Sequence, residues 1–160
     1  MRKRTLYLET SIFGFWFDEH PVNAEKRQAV TTLLKQVRDG QFNGLVCEWV
    51  IEELRCGDSL QVPLLKLVRD YRVVVAELDE VEAETLASEY LKAGAIEAAW
   101  AMDARHVAAA TLLEVDALVS LNLKHIVNTW RVREFNAVNL RLGYRMLTCT
   151  TPAEVIEDVG

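Results

Sequence analysis

Cysteine is scarce in this chain, and the three present are poorly spaced for a covalent framework. Cys47 and Cys56 lie nine residues apart, Cys149 stands alone, and no CxxC pair points to redox chemistry or a zinc site. The expectation is three reduced thiols in or near the core of a cytoplasmic protein. Long apolar runs are also missing. No stretch without a formal charge exceeds about eight residues, against roughly 20 for a bilayer helix, so no membrane span is expected. The basic start Met1-Arg2-Lys3-Arg4 runs into Glu9 and Asp18 and not into an uninterrupted apolar segment, which argues against a targeting sequence. The GxSxG elbow, the Walker loop and GxGxxG are absent too, so serine hydrolase, P-loop NTPase and dinucleotide-binding chemistry have no support.

What is present fits an ordinary folded domain. The 160 residues are 51% hydrophobic and 26% charged, which excludes global disorder and suits a single domain over 1–160. The net charge of −6 argues against a generally basic, nonspecific nucleic-acid coat. The charge is uneven, however. Residues 77–97 hold seven acids and one lysine, whereas 124–145 hold Lys124, Arg131, Arg133, Arg141 and Arg145 against Glu134 alone. Residues 26–38 carry four bases and no acid.

Periodicity orders the chain. Residues 5–9 read as a strand whose successive Leu6, Tyr7 and Leu8 suggest a centre covered on both faces. Thr10 and Ser11 are positioned to cap the next helix or turn, and the aromatic run 12–17 must be buried or lie in an interface. Val30, Leu33, Leu34 and Val37 make the apolar stripe of a helix over 24–38, capped by Asn23 and ended by Gly40. Short strands are expected at 43–47, 71–76, 117–121 and 145–149. Helices are expected at 48–54, 59–69, 79–94, 96–113, 131–142 and 152–159, with a turn or short helix at 124–128. Asp79 with Glu82 reads as a capping box, and Thr151-Pro152 opens the last helix. This alternation gives an α/β fold: a three-layer α/β/α sandwich with a mostly parallel, five-stranded sheet.

Ligands of such sheets sit beyond the carboxyl ends of the strands, at the topological switch point. Glu9 and Asn122 occupy strand ends. Asp103 lies near the start of the alanine-rich helix, and Glu53 comes soon enough after the second strand to reach the same crevice. A carboxylate in an apolar strand needs a partner. Several converging on one hollow repel one another unless a cation neutralises them, and oxygen donors of this kind suit Mg²⁺ or Mn²⁺. The alternative readings are a helix-dipole role for Asp103, surface display for Glu53 and a turn role for Asn122. His106, three residues past Asp103, reads as a structural or second-layer histidine.

These same segments resemble the PIN domain, the nuclease fold of many prokaryotic toxin–antitoxin toxins. Tyr7-Leu-Glu-Thr-Ser-Ile12 is similar to the first-strand signature, Glu48-Trp-Val-Ile-Glu-Glu-Leu54 to the second acidic motif, Asp103-Ala-Arg-His-Val-Ala108 to the third and the stretch 119–128 to the fourth. The resemblance implies metal-dependent endonucleolytic cleavage of RNA, with Glu9, Glu53 (or Glu52), Asp103 and Asn122 catalytic. It assigns a Mg²⁺ or Mn²⁺ to Glu9, Asp103 and Glu53. Thr10, Ser11, Lys124, Arg131 and Arg133 are the candidate substrate contacts. The resemblance further implies a cognate antitoxin and a homodimer. Two positions depart from the family pattern: Glu9 and Asn122 stand where Asp is commoner. The alternative function is a catalytically degraded PIN-like RNA-binding or protein-interaction domain.

Overall fold

Five residues of unbroken β-prone, largely apolar chain, Arg4–Leu8, form the first strand (β1), and Leu6, Tyr7 and Leu8 are fully buried. In this computed structural model, which describes residues 2–55 and 61–157, β1 lies at the centre of a five-stranded parallel sheet. Its neighbours are β2 (Phe42–Val46) and β4 (Ala117–Val119). The edges are β3 (Val74–Val75) and β5 (Cys149–Thr150), giving the order β3-β2-β1-β4-β5. Tyr7 is in register with Leu45 on one side and Leu118 on the other. The connections are helical: α1 (Thr10–Phe17), α2 (Ala24–Arg38), α3 (Glu48–Arg55), α4 (Gln61–Asp70), α5 (Glu80–Lys92), α6 (Ala101–Leu112), α7 (Thr129–Arg141) and α8 (Pro152–Glu157). The buried apolar residues form one cluster that spans both faces of the sheet, giving the expected three layers. Among the described residues no helix is long and apolar enough to cross a membrane.

Helix ends explain several shifted boundaries. Gly40, Gly94 and Gly143 all have positive φ and close α2, α5 and α7. At Gly40, for example, the Gln41 N–H reaches the Gln36 carbonyl at 2.9 Å while the Gly40 N–H reaches Val37 at 3.1 Å. Arg72 closes α4 in the same way, with φ 58° and the Val73 N–H on the Val68 carbonyl. That closure consumes residues 71–73, so the strand expected over 71–76 shrinks to Val74–Val75. The expected 145–149 strand is displaced because the Asn136 side chain takes both the N–H (2.7 Å) and the carbonyl (3.0 Å) of Leu147. The helix expected from residue 96 begins at Ala101, after a 3-10 turn over Ala98–Trp100. Asn23 stands at the N-cap position of α2 as expected, but its side chain makes no capping bond; its amide donates to Asp18 at 2.7 Å. Asp79 caps α5, but Glu82 accepts from the Tyr144 hydroxyl and does not complete a capping box. Of the expected 59–69 helix, Ser59 lies outside the described residues, as does Cys56.

The aromatic run is absorbed by the fold. Ile12 and Phe13 are fully buried, Phe15, Trp16 and Phe17 pack on the core, and Trp16 meets Tyr71 edge-on at 5.1 Å.

Gly44 shows how tightly α2 lies on the sheet. A Cβ at that position would meet Val37 Cγ1 at 2.8 Å and Leu8 Cδ1 at 3.3 Å, whereas one on Gly14 in α1 would meet nothing within 4 Å among the described residues. Gly44→Ala should therefore destabilise by about 1–3 kcal/mol through overpacking. Gly14→Ala should stabilise by about 0.4–1 kcal/mol by restricting the unfolded chain and favouring helix. Urea unfolding of the two variants checks both signs; equal effects would contradict the close approach of α2.

Candidate metal centre

The sheet order reverses at β1: its chain successor β2 lies on one side and β4 on the other. The crevice beyond the ends of β1 and β4 is therefore the switch point, where the sheet leaves room for a ligand. Glu9 is the first residue past β1, and its N–H still reaches the Val119 carbonyl at 3.1 Å. The side chain is 4% exposed. A buried carboxylate must be hydrogen-bonded, and Glu9 is. Its Oε1 accepts from Ser11 Oγ (2.6 Å) and Ser120 Oγ (2.5 Å), and its Oε2 accepts from the Ser11 N–H at 3.2 Å. Glu9 thereby caps α1 itself, so the capping role expected of Thr10 and Ser11 passes to Glu9 and both residues lie inside the helix. The serines also accept bonds: Ser11 Oγ from the Leu121 N–H at 2.8 Å, Ser120 Oγ from the Asn122 N–H at 2.9 Å. The loop after β4 is thus tied to Glu9 through two hydroxyls.

His106, completely buried on α6, enters the same hollow. Ligand atoms of Glu9, Glu53 and His106 all lie within 4.8 Å of one another, a spacing that suits a single cation. His106 Nε2 is 3.2 Å from Glu53 Oε1 and 3.3 Å from Thr10 Oγ1. On its other side, Nδ1 is 2.8 Å from the Tyr7 hydroxyl, which is 3.2 Å from Cys47 Sγ. Burial drives the Glu53 pKa up, but the His106 bond and charge and the Thr10 bond outweigh it, leaving Glu53 below the usual carboxylate value. Glu52, its sequence alternative, is exposed on α3, whereas Glu53 faces the cluster.

Donor counting shows that the residues fit a metal. With Nε2 protonated, the imidazole donates to Glu53 and Tyr7 donates to Nδ1. For Nε2 to offer its lone pair to a cation, Nδ1–H must donate to the Tyr7 oxygen, and the Tyr7 hydroxyl must point its own hydrogen at another acceptor. Cys47 Sγ is there to accept it. Burial, then Cys47 and the nearby acids, raise the Tyr7 pKa well above its ordinary value, so the phenol keeps that proton. A partner behind the liganding imidazole is the usual means of fixing its tautomer.

Asp103, in the first turn of α6, stands beside the three-residue cluster and not within it. Its Oδ2 is 3.2 Å from His125 Nδ1, and the His125 N–H donates to Asn122 Oδ1 at 3.0 Å. Asn122 thus spends its oxygen on closing the loop. His125 is 6% exposed and stacks on Trp100, with ring centroids 4.2 Å apart and planes at 30°. Its Nε2 is buried and has no hydrogen-bond partner among the described residues. Of the basic residues, Lys124 and Arg133 are exposed. Arg131 is committed inward, to the Ala95 carbonyl at 3.1 Å and to Glu97 at 3.2 Å.

His106 and His125 are the residues whose importance the sequence understated. The DxxH spacing after Asp103 gave a hint of the first. The second appears only when the loop after β4 folds back over α6.

No family model matches the chain, and no curated protein matches it.

Burial, then the charge of Glu9, raises the Asp103 pKa despite the opposing histidines and Asn122. An acid whose folded pKa is raised binds its proton more tightly when folded. Its contribution is therefore most favourable below the unfolded value and is lost as pH rises through the folded value. Metal-free Asp103→Asn should thus melt higher than the parent at pH 7, and the gap should narrow toward pH 4. A thermal melt at both pH values checks this; a variant that melts lower at pH 7 would show the carboxylate to be stabilising.

Proposed function

We propose that this protein is a divalent-metal-dependent endoribonuclease of the PIN type that hydrolyses RNA phosphodiester bonds. The observation that carries the reading is the convergence of Glu9, Glu53 and His106 at the switch point of the sheet, all within 4.8 Å. The order of the four motifs along the chain supports it, because each delivers a polar residue to the same end of the sheet. Glu9, Glu53 and His106 would hold the ion, with Asp103 beside them as a further carboxylate ligand or water holder. When bound, a divalent cation supplies charge neutralisation and Lewis acidity toward a phosphate oxygen and an attacking water. Two carboxylates with one imidazole suit Mn²⁺ better than Mg²⁺, which prefers oxygen donors and retains water.

The chain's own groups do the rest. Ser11 and Ser120 fix the direction of Glu9. Tyr7 and Cys47 set the tautomer of His106. Thr10, at the mouth of the cluster, is placed to orient water or phosphate. Lys124 and Arg133 are the remaining candidate phosphate contacts, since Arg131 is engaged within the fold. A cognate antitoxin and a homodimer in the cytoplasm belong to the same proposal. A second reading, a binding or interaction domain without hydrolysis, draws on Asn122, which brings no charge and whose oxygen is already bonded to the His125 N–H.

Single-turnover cleavage of a mixed RNA pool with Mn²⁺ separates the two. The parent should cut, and Glu9→Gln and Glu53→Gln should each lose about 100-fold or more. RNA binding without cutting by a metal-loaded parent would favour the second reading. Mn²⁺ should also raise the melting temperature, by the equivalent of about 2.7 kcal/mol at 100 times its dissociation constant. Tyr7→Phe should weaken Mn²⁺ binding about 10- to 100-fold. Equal calorimetric affinity in parent and Tyr7→Phe would remove the tautomer argument.

A further inference from the structure

Trp100 has a place that the metal cluster does not explain. It ends the 3-10 turn Ala98–Trp100, immediately before α6, and lies one helical turn ahead of Asp103. A tryptophan that served only the core would be turned inward, yet Trp100 is 43% exposed. Its ring is nevertheless not loose, because it lies against the buried imidazole of His125 at 4.2 Å. His125 is itself pinned from two directions, by Asn122 through its N–H and by Asp103 through Nδ1. The imidazole is thus a joint: its edge holds the acid beside the metal cluster, and its face backs the indole. A phenyl ring there would back the indole equally well, but it could not hold Asp103. The turn carrying Trp100 is braced a second time by Arg131, which bonds the Ala95 carbonyl and Glu97 just upstream. The neighbour of Arg131 in α7 is Trp130, also exposed, at 70%. Two indoles therefore stand open to solvent on segments that Arg131 ties together, and Trp100, the one just ahead of the helix that carries Asp103, is backed by His125.

We propose that the open surface of Trp100 is a stacking platform for an unpaired nucleobase of the substrate, next to the phosphate presented to the metal cluster. The inference rests on the ribonuclease reading and adds the place where an unpaired base is held, with little base preference, because every base offers a π-face. A rigid, pre-placed indole loses little freedom when a base lands on it, so stacking adds affinity efficiently. Base-paired RNA keeps its bases stacked on one another and gains nothing from the platform.

The test uses short single-stranded RNAs carrying the fluorescent base 2-aminopurine at each position in turn, with chelator present at low ionic strength so that binding is read without cutting. The parent should quench the probe at one position. Trp100→Ala should abolish that quench and weaken binding about 5- to 150-fold, while Trp100→Phe retains most of both. Matching melting temperatures for the two variants exclude a folding defect. An RNA of the same length with abasic residues should bind parent and Trp100→Ala alike; a difference between them there would place the effect on the backbone and overturn the platform. Equal affinity and equal quenching for parent and Trp100→Ala, with RNA still cut in Mn²⁺, would overturn the platform and leave the nuclease reading standing. A parent that neither binds nor cuts RNA would overturn both.

Discussion

The structure depends on one buried carboxylate. Glu9 sits just past the end of the central strand, where water cannot solvate it, and a charge in such a place survives only if the fold supplies bonds. Ser11, from the first turn of α1, and Ser120, from the end of β4, supply them. Those serines then accept the N–H groups of Leu121 and Asn122. The direction of the loop after β4 is therefore set by how Glu9 is satisfied. That loop places Asn122, which orients His125, which meets both Asp103 and Trp100. Removing the Glu9 charge would reach every one of these groups without touching the apolar core.

The site also holds acids in an arrangement that repulsion opposes. Glu53 is kept ionised by His106 and Thr10, whereas Asp103 is pushed toward its protonated form by burial and by Glu9. Two carboxyl groups in one crevice with opposite tendencies are a common signature of a functional site, since a fold selected only for stability would relieve the strain. A cation between Glu9, Glu53 and His106 would relieve it directly.

Much of this could be read from the chain. The alternation of short apolar runs with helical stripes gave the layers and the parallel sheet. The glycines at 40, 94 and 143 gave the helix ends, because a positive φ there is cheap only for glycine. The reading failed where side chains took over backbone bonds or where no glycine marked an end. Arg72 in a left-handed conformation shortened β3, and Asn136 moved β5 by occupying Leu147. Glu9 was legible as an oddity in an apolar strand. That it would cap its own helix was not, because capping preference favours Ser and Thr, which stood at the next two positions. His106 was hidden by its dull setting in an alanine-rich helix. Its role depends on Tyr7, ninety-nine residues earlier, and on Cys47 behind it. Arg131 looked like a surface base until the fold brought Ala95 and Glu97 against it.

The central claim is that Glu9, Glu53 and His106 form one cation site. Crystals equilibrated with Mn²⁺ and measured at the manganese absorption edge test it most directly. The account predicts a single dominant anomalous peak between the Glu9 and Glu53 carboxylates and His106 Nε2, with Nδ1 still within hydrogen-bond distance of Tyr7. A fully loaded crystal with no peak in that hollow, or with its strongest peak elsewhere, would contradict it.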